Sequence, residues 1–263
     1  MSDNPTITIV LTYYNRKKQL ANTLRSIARY GHDVNIIIIN DGSTDGEDIY
    51  CFETDKISAI TLENKTWINP CIPFNIGFSL VNTDIVIIQN AECLHIGDIV
   101  GHALANSRDG SYLSYSAFYT NKEVSEKFNT SDNPDDIVKP YMNTNEIGGG
   151  ITNGWYNHAT YRPEAYHFCS AITKNDLYRI GGFDERYAKG SAYDDDDFIL
   201  RIKRAGIVVS FVYSPFVVHQ WHEPFYAGDI PTMMAINYIL FDRSVKSGIY
   251  DVKPFNRIFN EQL

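Results

Sequence analysis

The sequence predicts a single α/β domain in which a mixed, mostly parallel sheet is flanked by helices. Over the first hundred residues, short apolar runs rich in β-branched residues alternate with helical patterns, the order expected of strand–helix–strand units. Polar clusters follow three of these runs, as they do where a parallel sheet binds a ligand. The chain has 263 residues, 44% of them hydrophobic, and neither an internal repeat nor a linker divides it.

The composition excludes several classes of function. The formal net charge is −9, so a nucleic-acid-binding surface is not expected, although a local site for a small nucleotide is compatible with it. No apolar stretch is long enough to span a bilayer, and the N-terminus lacks a basic start followed by an apolar run. The four cysteines form no C-x-x-C pair, which argues against a zinc ribbon or a disulfide framework. We therefore expect a cytoplasmic protein with reduced thiols.

The elements of the first half follow from local patterns. Strands are predicted where β-branched residues cluster, at 6–11, 35–39, 57–62 and 85–88. Apolar residues at helical spacing predict helices over 18–30, 74–81 and 96–105. The cluster NDGSTD at 40–45 predicts a turn followed by a further helix start. Strands and helices that alternate in this way indicate a parallel sheet.

The pattern weakens over 120–161 and becomes regular again afterwards. The second half is predicted to contain a strand at 168–173, a short helix at 175–180, a strand at 207–213 and an amphipathic helix at 232–241. Long irregular segments in a compact domain are usually functional loops or disordered. Three glycines at 148–150 give the backbone unusual freedom, and Trp155 and Tyr156 follow closely. This segment is therefore expected to form a lid.

The three polar clusters lie at 12–16, 40–45 and 89–92, each directly after a predicted strand. Because the carboxyl ends of parallel strands meet at one edge of a sheet, we expect these clusters to lie close together. Three clusters at one edge predict a binding site more strongly than any one of them. Taken alone, Thr12 and Asp41 would be interpreted as simple strand-end caps.

Four consecutive aspartates at 194–197 follow a Gly-Gly-Phe-Asp turn and open an amphipathic segment. Carboxylates are favoured at a helix N-terminus, and the cations Arg201, Lys203 and Arg204 lie toward the other end. The run therefore predicts a helix start. Four carboxylates this close also repel one another, and each raises the pKa of its neighbours. An isolated run of this kind is as often a solvated helix cap or a calcium site as part of a catalytic site.

Taken together, these motifs resemble a known family. TYYNR at 12–16 and NDGSTD at 40–45 look like the nucleotide-binding half of family 2-type glycosyltransferases with the GT-A fold. The order GGFD, DDDD and Val-x-His in the second half is similar to the galactosyltransferase and polypeptide N-acetylgalactosaminyltransferase branch. The resemblance covers about residues 6–222. It implies one GT-A domain with a nucleotide-binding half (6–106), an acceptor and catalytic half (107–223) and a helical tail (224–263).

The resemblance implies a UDP-sugar donor and a set of residues that bind it. The donor-binding residues would be Thr12, Tyr14 and Arg16 around the uracil and ribose, Asp41 at the uracil ring, and Asn90 in the metal and diphosphate motif. In that motif the family has Asp-x-Asp or Asp-x-His, whereas this chain has Asn90-x-Glu92. Asparagine is a neutral oxygen donor, and Glu92 keeps one hard oxygen ligand that suits Mn²⁺ or Mg²⁺.

His219 corresponds to a further metal ligand of the N-acetylgalactosaminyltransferases, and His222 could supplement it. Spacing alone leaves two geometries open. A turn would bring both imidazoles to one side, whereas alternation along a strand would separate them.

Asp195 matches the carboxylate that acts as base in inverting galactosyltransferases, and Asp194 lies one step nearer the preceding loop. Asp196 is expected to bind the acceptor or to cap the helix, and Trp155, Tyr156 and His222 are expected to contact the acceptor or to close over it. The implied reaction is metal-dependent transfer of a hexose to a hydroxyl of a glycan or another acceptor, with inversion at the anomeric carbon.

Two other classes of function stay open. A nucleotidyltransferase that makes sugar nucleotides would share the sheet and the metal. Such enzymes usually open with a Gly-rich phosphate loop, and residues 13–16 contain no glycine. A non-catalytic sugar- or nucleotide-binding protein on a decayed GT-A fold is the other class, and the neutral Asn90 favours it.

Overall fold

A computed structural model describes residues 4–141, 154–223, 228–248 and 252 of the protein. Within this part of the chain, one nine-stranded sheet is flanked by helices. The strands are β1 (Ile7–Tyr13), β2 (Asn35–Asn40), β3 (Ile57–Thr61), β4 (Ile85–Asn90), β5 (Cys93–Ile96), β6 (Ser111–Tyr119), β7 (Trp155–Asn157), β8 (Cys169–Thr173) and β9 (Val208–His219).

In the described ranges, eight α-helices surround the sheet. They are α1 (Lys17–Ala28), α2 (Cys71–Ser79), α3 (Ile99–Asn106), α4 (Lys122–Lys127), α5 (Pro134–Val138), α6 (Lys174–Ile180), α7 (Asp194–Arg204) and α8 (Ile230–Ser247), with 3₁₀ turns at Tyr50–Phe52 and Glu185–Lys189. Among the residues described, none of the helices combines the length and the apolar character that crossing a bilayer requires.

The strand order is β3-β2-β1-β4-β8-β6-β9-β5, with β7 paired to β6. The first four strands in this order are parallel, as the alternating pattern predicts. Strand β8 then pairs antiparallel with β4, and β6 pairs antiparallel with β8 but parallel with β9. The predicted α/β architecture with a mixed sheet and flanking helices is confirmed.

Both faces of the sheet are buried, because successive side chains of each strand point to opposite sides. Ile9 and Leu11 of β1 belong to the core cluster on the side of α1 and α3, whereas Val10 belongs to the cluster formed with α2, α6 and α7. Helix α2 lies very close to this second face, since a Cβ atom at Gly77 would clash with Val10. The β-branched residues that predicted the strands are therefore the residues that fill the two cores.

The structure corrects several predicted elements. No α-helix follows the cluster at 40–45; a single 3₁₀ turn at Tyr50–Phe52 leads instead to β3. The helix predicted over 96–105 begins only at Ile99, because Cys93–Ile96 is a strand that pairs with β9. Strand β9 is longer than predicted and continues past Pro215 to His219.

Strand β6 is absent from the predicted elements although it lies inside the sheet. Its sequence, SYLSYSAFY, mixes serines with aromatic residues, so it lacks the β-branched run that marks the other central strands. Eight of its nine residues are buried. The serine hydroxyls are compatible with burial where they find partners, as Ser116 does at the main-chain oxygen of Val212 (3.0 Å).

Candidate active site

The polar clusters predicted to meet do meet at the carboxyl edge of the parallel strands. Thr12 of β1 is in register with Asn90 of β4, and Tyr13 with Asn40 of β2. A cleft of about 210 Å³ opens above this edge. Its lining includes all five predicted donor-binding residues and the predicted metal ligand of this edge: Thr12, Tyr14, Arg16, Asp41, Asn90 and Glu92.

Asp41 is buried at one end of the cleft and is already hydrogen-bonded. Lys65 Nζ donates to Oδ2 and Trp67 Nε1 donates to Oδ1, both at 2.6 Å. Burial raises the pKa of Asp41, against the opposing effects of Lys65 and Trp67. The ammonium of Lys65 also lies over the ring of Tyr14, 4.6 Å from its centroid. This end of the cleft therefore contains a cation and an indole that the sequence patterns did not single out.

Glu92 is the centre of a second group of contacts in the same cleft. Its Oε1 lies 2.6 Å from Arg16 Nη1, 3.2 Å from His219 Nε2 and 3.8 Å from His222 Nε2. His219 is the last residue of β9 and pairs with Cys93, which puts it beside Glu92. His222 lies beyond the end of the strand, so alternation does not separate the two imidazoles. The turn geometry, one of the two left open by the spacing, is the one observed.

The charge state of this cluster favours coordination. Burial alone would raise the pKa of Glu92, but Arg16, His219 and His222 outweigh it and hold that pKa well below its usual range. Burial, followed by the charge of Arg16, lowers the pKa of His222. The carboxylate is therefore ionised and His222 is neutral near pH 7, which are the protonation states that bind metal ions.

The three side chains fit a divalent ion. One ligand atom from each of Glu92, His219 and His222 lies within 4.8 Å of the others. A carboxylate with two imidazoles suits divalent transition ions such as Mn²⁺. Nδ1 of His219 is buried and makes no hydrogen bond, so that ring is not committed to another partner on that side. Arg16 neutralises the carboxylate, and a cation at this site must compete with it for Oε1.

A glutamine holds this cluster in position. Gln220 is 1% exposed, and both its main-chain N–H (3.0 Å) and its side-chain Nε2 (3.1 Å) donate to the main-chain oxygen of Glu92. Its side-chain oxygen accepts from Asn22 of α1 at 2.8 Å. The chain between the two histidines is thereby tied to the end of β4 and to α1. No sequence motif signals this role, which depends on contacts between residues far apart in the chain.

The four aspartates open α7, as the pattern predicted. Two non-glycine residues with positive φ, Ala192 (62°) and Tyr193 (65°), lead into the helix. Asn237 of α8 donates to the main-chain oxygens of Ala192 (2.8 Å) and Tyr187 (3.1 Å). The C-terminal helix therefore supports the loop that sets the direction in which the aspartates point.

Each aspartate of the run has a separate partner. Asp194 accepts from Asn69 Nδ2 (2.6 Å), Asp195 contacts His167 Nδ1, Asp196 accepts from the Tyr166 hydroxyl (3.0 Å), and Asp197 accepts from Arg201 Nε (2.7 Å). Successive side chains on a helix diverge by about 100°, which is why four neighbours reach four different surroundings.

Burial separates the run further. The side chain of Asp195 is 28% exposed, whereas that of Asp197 is 2% exposed and forms an ion pair inside the core. Burial, with the charge of Asp195 as the second cause, raises the pKa of Asp194 to about 7. The sequence predicts a raised pKa from charge crowding, and the structure adds that burial is the larger cause.

A short segment joins Asp41 at the cleft to the acidic run. Trp67 donates to Asp41, and two residues later Asn69 donates to Asp194. The main-chain N–H groups of Ile68 and Asn69 both donate to the oxygen of Ala188, which fixes the segment against the loop before α7. Ile68 also lines the cleft that contains Asp41 and Glu92. The three residues 67–69 therefore connect the two halves of the predicted site, Asp41 at one end and Asp194 at the other.

The structure does not support a lid role for Trp155. Its side chain is 6% exposed and packs in a core cluster, with its ring centroid 4.9 Å from that of Phe118 and 5.7 Å from that of Phe216. Tyr156, on the opposite face of the short strand β7, is half-buried and packs 5.0 Å from the ring of His219. The glycines at 148–150, the expected hinge of the lid, lie outside the described residues.

Comparison with known families identifies the chain. Residues 8–226 match the family described as "Glycosyltransferase like family 2". The protein belongs to this glycosyltransferase family. A comparison with curated proteins gives no match.

Solved structures support the same fold for this family 2-like glycosyltransferase. The chain is similar to S. aureus TarS, with 12% identity and a TM-score of 0.54 over 82% of this chain for the fragment 1–349, and a TM-score of 0.56 over 91% of this chain for a longer TarS chain. It spans 60% of the fragment and 39% of the longer chain.

It is also similar to a mannosyltransferase, PcManGT from Pyrobaculum calidifontis, solved in complex with GDP-Man and Mn²⁺, with 14% identity and a TM-score of 0.54. That match covers 98% of this chain and 69% of the mannosyltransferase. At these identities the likeness concerns the fold, and the kinship of the second half with the galactosyltransferase branch stays a prediction.

Proposed function

We propose that the protein transfers a sugar from a UDP-sugar to an acceptor hydroxyl, with inversion and with a divalent ion held by Glu92, His219 and His222. One observation carries the proposal. The segment that donates to Asp41 at the donor cleft also donates, two residues later, to Asp194 at the start of the acidic run. A donor bound in the cleft would therefore have its reacting end beside candidate bases.

Asp41 is the proposed reader of the nucleobase. Its two oxygens accept from Lys65 and Trp67, and a carboxylate has room for further hydrogen bonds. The imide N–H of uracil is a matching donor, and the ring of Tyr14 lines the same cleft. A guanine also carries N–H groups, and a GDP-sugar is the ligand named for the mannosyltransferase neighbour, so the choice of base is tested below.

Cations around the cleft suit a diphosphate. Arg16 and Lys65 both line it, and each is engaged with a carboxylate that a diphosphate can replace or supplement. A divalent ion bound by the Glu92 cluster would offset charge on the leaving diphosphate. Both cationic side chains would then orient the donor through its phosphates.

Asp195 is the proposed base. Asp194 and Asp197 are buried, whereas the side chain of Asp195 stays 28% exposed, with one of its oxygens engaged by His167. A carboxylate that takes the acceptor proton fits direct displacement at the anomeric carbon. Asp194, with its pKa raised to about 7, is the second candidate for this proton.

Thermal shift and turnover with a panel of sugar nucleotides test the proposal. UDP should raise the melting temperature more than GDP does, with a larger shift when Mn²⁺ is present, and Asp41→Asn should reduce that preference. At least one UDP-sugar should be transferred or hydrolysed, with a product of inverted configuration. Equal shifts for UDP and GDP would refute the choice of base. Binding without any turnover would favour the non-catalytic alternative.

A further inference from the structure

We propose that His167 is a positioning residue for Asp195: it holds one carboxylate oxygen so that the other faces the acceptor hydroxyl. This inference rests on the proposed function and adds to it a residue that no sequence motif marked. The argument depends on where His167 lies, how firmly its ring is held, and which atoms it contacts.

His167 lies at the edge of the sheet where the donor cleft opens. It precedes β8 by two residues, and the first residue of β8, Cys169, pairs with Gln89 of β4. The main-chain oxygen of the next residue, Phe168, accepts from the N–H of Asn90 at 3.3 Å. The imidazole is therefore anchored to the strand whose end carries the diphosphate motif.

The ring is fixed by aromatic packing. His167 is 6% exposed, and its ring meets Phe74 of α2 edge-on at 5.0 Å between centroids and Phe183 at 4.7 Å. Phe183 belongs to the Gly-Gly-Phe-Asp turn that precedes the acidic run. A ring held between two phenyl groups loses little further freedom when it binds a carboxylate, so its contact with Asp195 is preorganised.

Two groups of His167 meet the same oxygen of Asp195. The ring atom Nδ1 contacts Oδ1, and the main-chain N–H lies 3.5 Å from it. A ring nitrogen that faces a carboxylate carries the proton, so the protonated Nδ1 faces Oδ1 as the cationic side of an ion pair. Oδ2 is left for another partner, and the exposed part of the side chain gives an acceptor access to it.

Charge strengthens the contact. Burial lowers the pKa of His167, but the charges of Asp195 and Asp194 outweigh it, and the net direction is upward. The other titratable groups around the pair are Asp196 with its partner Tyr166, and the buried thiol of Cys71, whose pKa is raised by burial. A cationic imidazole favours the ionised form of the carboxylate that it contacts.

Two variants separate orientation from charge. His167→Leu removes both the donor and the charge, and we expect the turnover number to fall by about 10- to 100-fold, with KM for the sugar nucleotide and Kd for UDP within about twofold of wild type. His167→Asn keeps an N–H near the position of Nδ1 but not the charge. It should retain most of the turnover, because a donor that can orient the carboxylate is kept.

His158→Asn is the matched control, since His158 is also buried but packs on Trp155 and hydrogen-bonds to Thr160. It should leave the turnover number unchanged. A turnover-independent measurement completes the test: the His167 resonance, assigned by its loss in His167→Asn, should titrate at lower pH in Asp195→Asn than in wild type. This titration tests the contact between His167 and Asp195 even if His167→Leu does not fold.

An unchanged His167 titration in Asp195→Asn would overturn the inference whether or not the protein turns over. Wild-type turnover in His167→Leu would overturn it while leaving the proposed function intact. If the wild type transfers no sugar from any sugar nucleotide, the proposed function fails, and with it the role of His167 in transfer, and only the ion pair is left.

Discussion

At the end of β4 a single carboxylate, that of Glu92, is contacted by one guanidinium and two imidazoles, whereas at the start of α7 four carboxylates each have a separate partner. In the first region several positively charged or imidazole groups lie around the same carboxylate oxygen, Oε1 of Glu92. In the second, adjacent residues of the same type have been given different tasks by their surroundings. A side chain's chemistry here follows more from its partner and its burial than from its neighbours in the chain.

The comparison also explains the two extremes of the acidic run. Asp197 pairs with Arg201, which donates in addition to the main-chain oxygens of Ile180 (2.6 Å) and Gly182 (2.7 Å) and so holds the turn before the run. The side chain of Asp195 is 28% exposed. We propose that Asp197 stabilises the fold and that Asp195 is available to a substrate, and the following variants test that division.

Asp195→Asn should have the largest effect on turnover. The change preserves shape and removes the basic oxygen, so transfer should fall by about 10²–10⁴-fold, the usual cost of losing a general base. The affinity for UDP, measured by calorimetry, should be nearly unchanged. Asp197→Asn is the control, and its turnover per folded molecule should be much closer to wild type. Near-normal transfer in Asp195→Asn would move the base to another residue or require a mechanism with retention.

Asp197→Ala should have the largest effect on stability. It leaves the buried guanidinium of Arg201 without its carboxylate, and breaking a buried pair costs about 3–5 kcal/mol of unfolding free energy. Urea denaturation measures the loss. The matched control is Asp242→Ala, which removes the acid of the solvent-exposed i,i+4 pair with Lys246 and should cost far less. Similar losses of unfolding free energy for both variants would contradict the proposal that Asp197 stabilises the fold.

Arg16→Gln should affect two ligands in opposite directions. Without the guanidinium, a cation no longer competes for Glu92 Oε1, so Mn²⁺ alone should bind tighter, on the order of tenfold or about 1.4 kcal/mol. UDP should bind more weakly, because the diphosphate loses a partner. Lys17→Gln is the control: Lys17 lies next in the chain but pairs with Glu47. Calorimetric titrations with Mn²⁺ and with UDP measure the two affinities. Weaker Mn²⁺ binding in Arg16→Gln would show that Arg16 does not compete with the metal ion for Glu92.

Asp194→Asn should change how stability depends on pH. Because the pKa of Asp194 is raised to about 7, the native state holds a proton that the unfolded chain has lost, and stability should fall as pH rises from about 4 to 7. Asparagine does not titrate, so the stability of the variant should not fall for this reason as pH rises. The melting temperature of Asp194→Asn relative to wild type should therefore be higher at pH 8 than at pH 5. An equal difference at both pH values would contradict the raised pKa.

The sequence determined the parts of the molecule that depend on local pattern. β-branched runs located the parallel strands, because a strand buried on both faces must be apolar along its length. Polar clusters after those runs located the edge at which Thr12, Asp41, Asn90 and Glu92 now line one cleft. The acidic run marked the start of α7, because carboxylates are favoured at a helix N-terminus.

Tertiary structure decided which side chains meet. Lys65 and Trp67 contact Asp41, Asn69 contacts Asp194, and His167 contacts Asp195. None of the four partners of these aspartates belongs to a sequence motif. The sequence left open whether His219 and His222 share one side, and the end of β9 resolved it. The physical reason is range. Hydrophobic periodicity and helix capping act over a few residues, whereas the contacts of Glu92 join it to residues 127 (His219) and 130 (His222) positions away. Such contacts require the strand register and the helix packing of the whole domain.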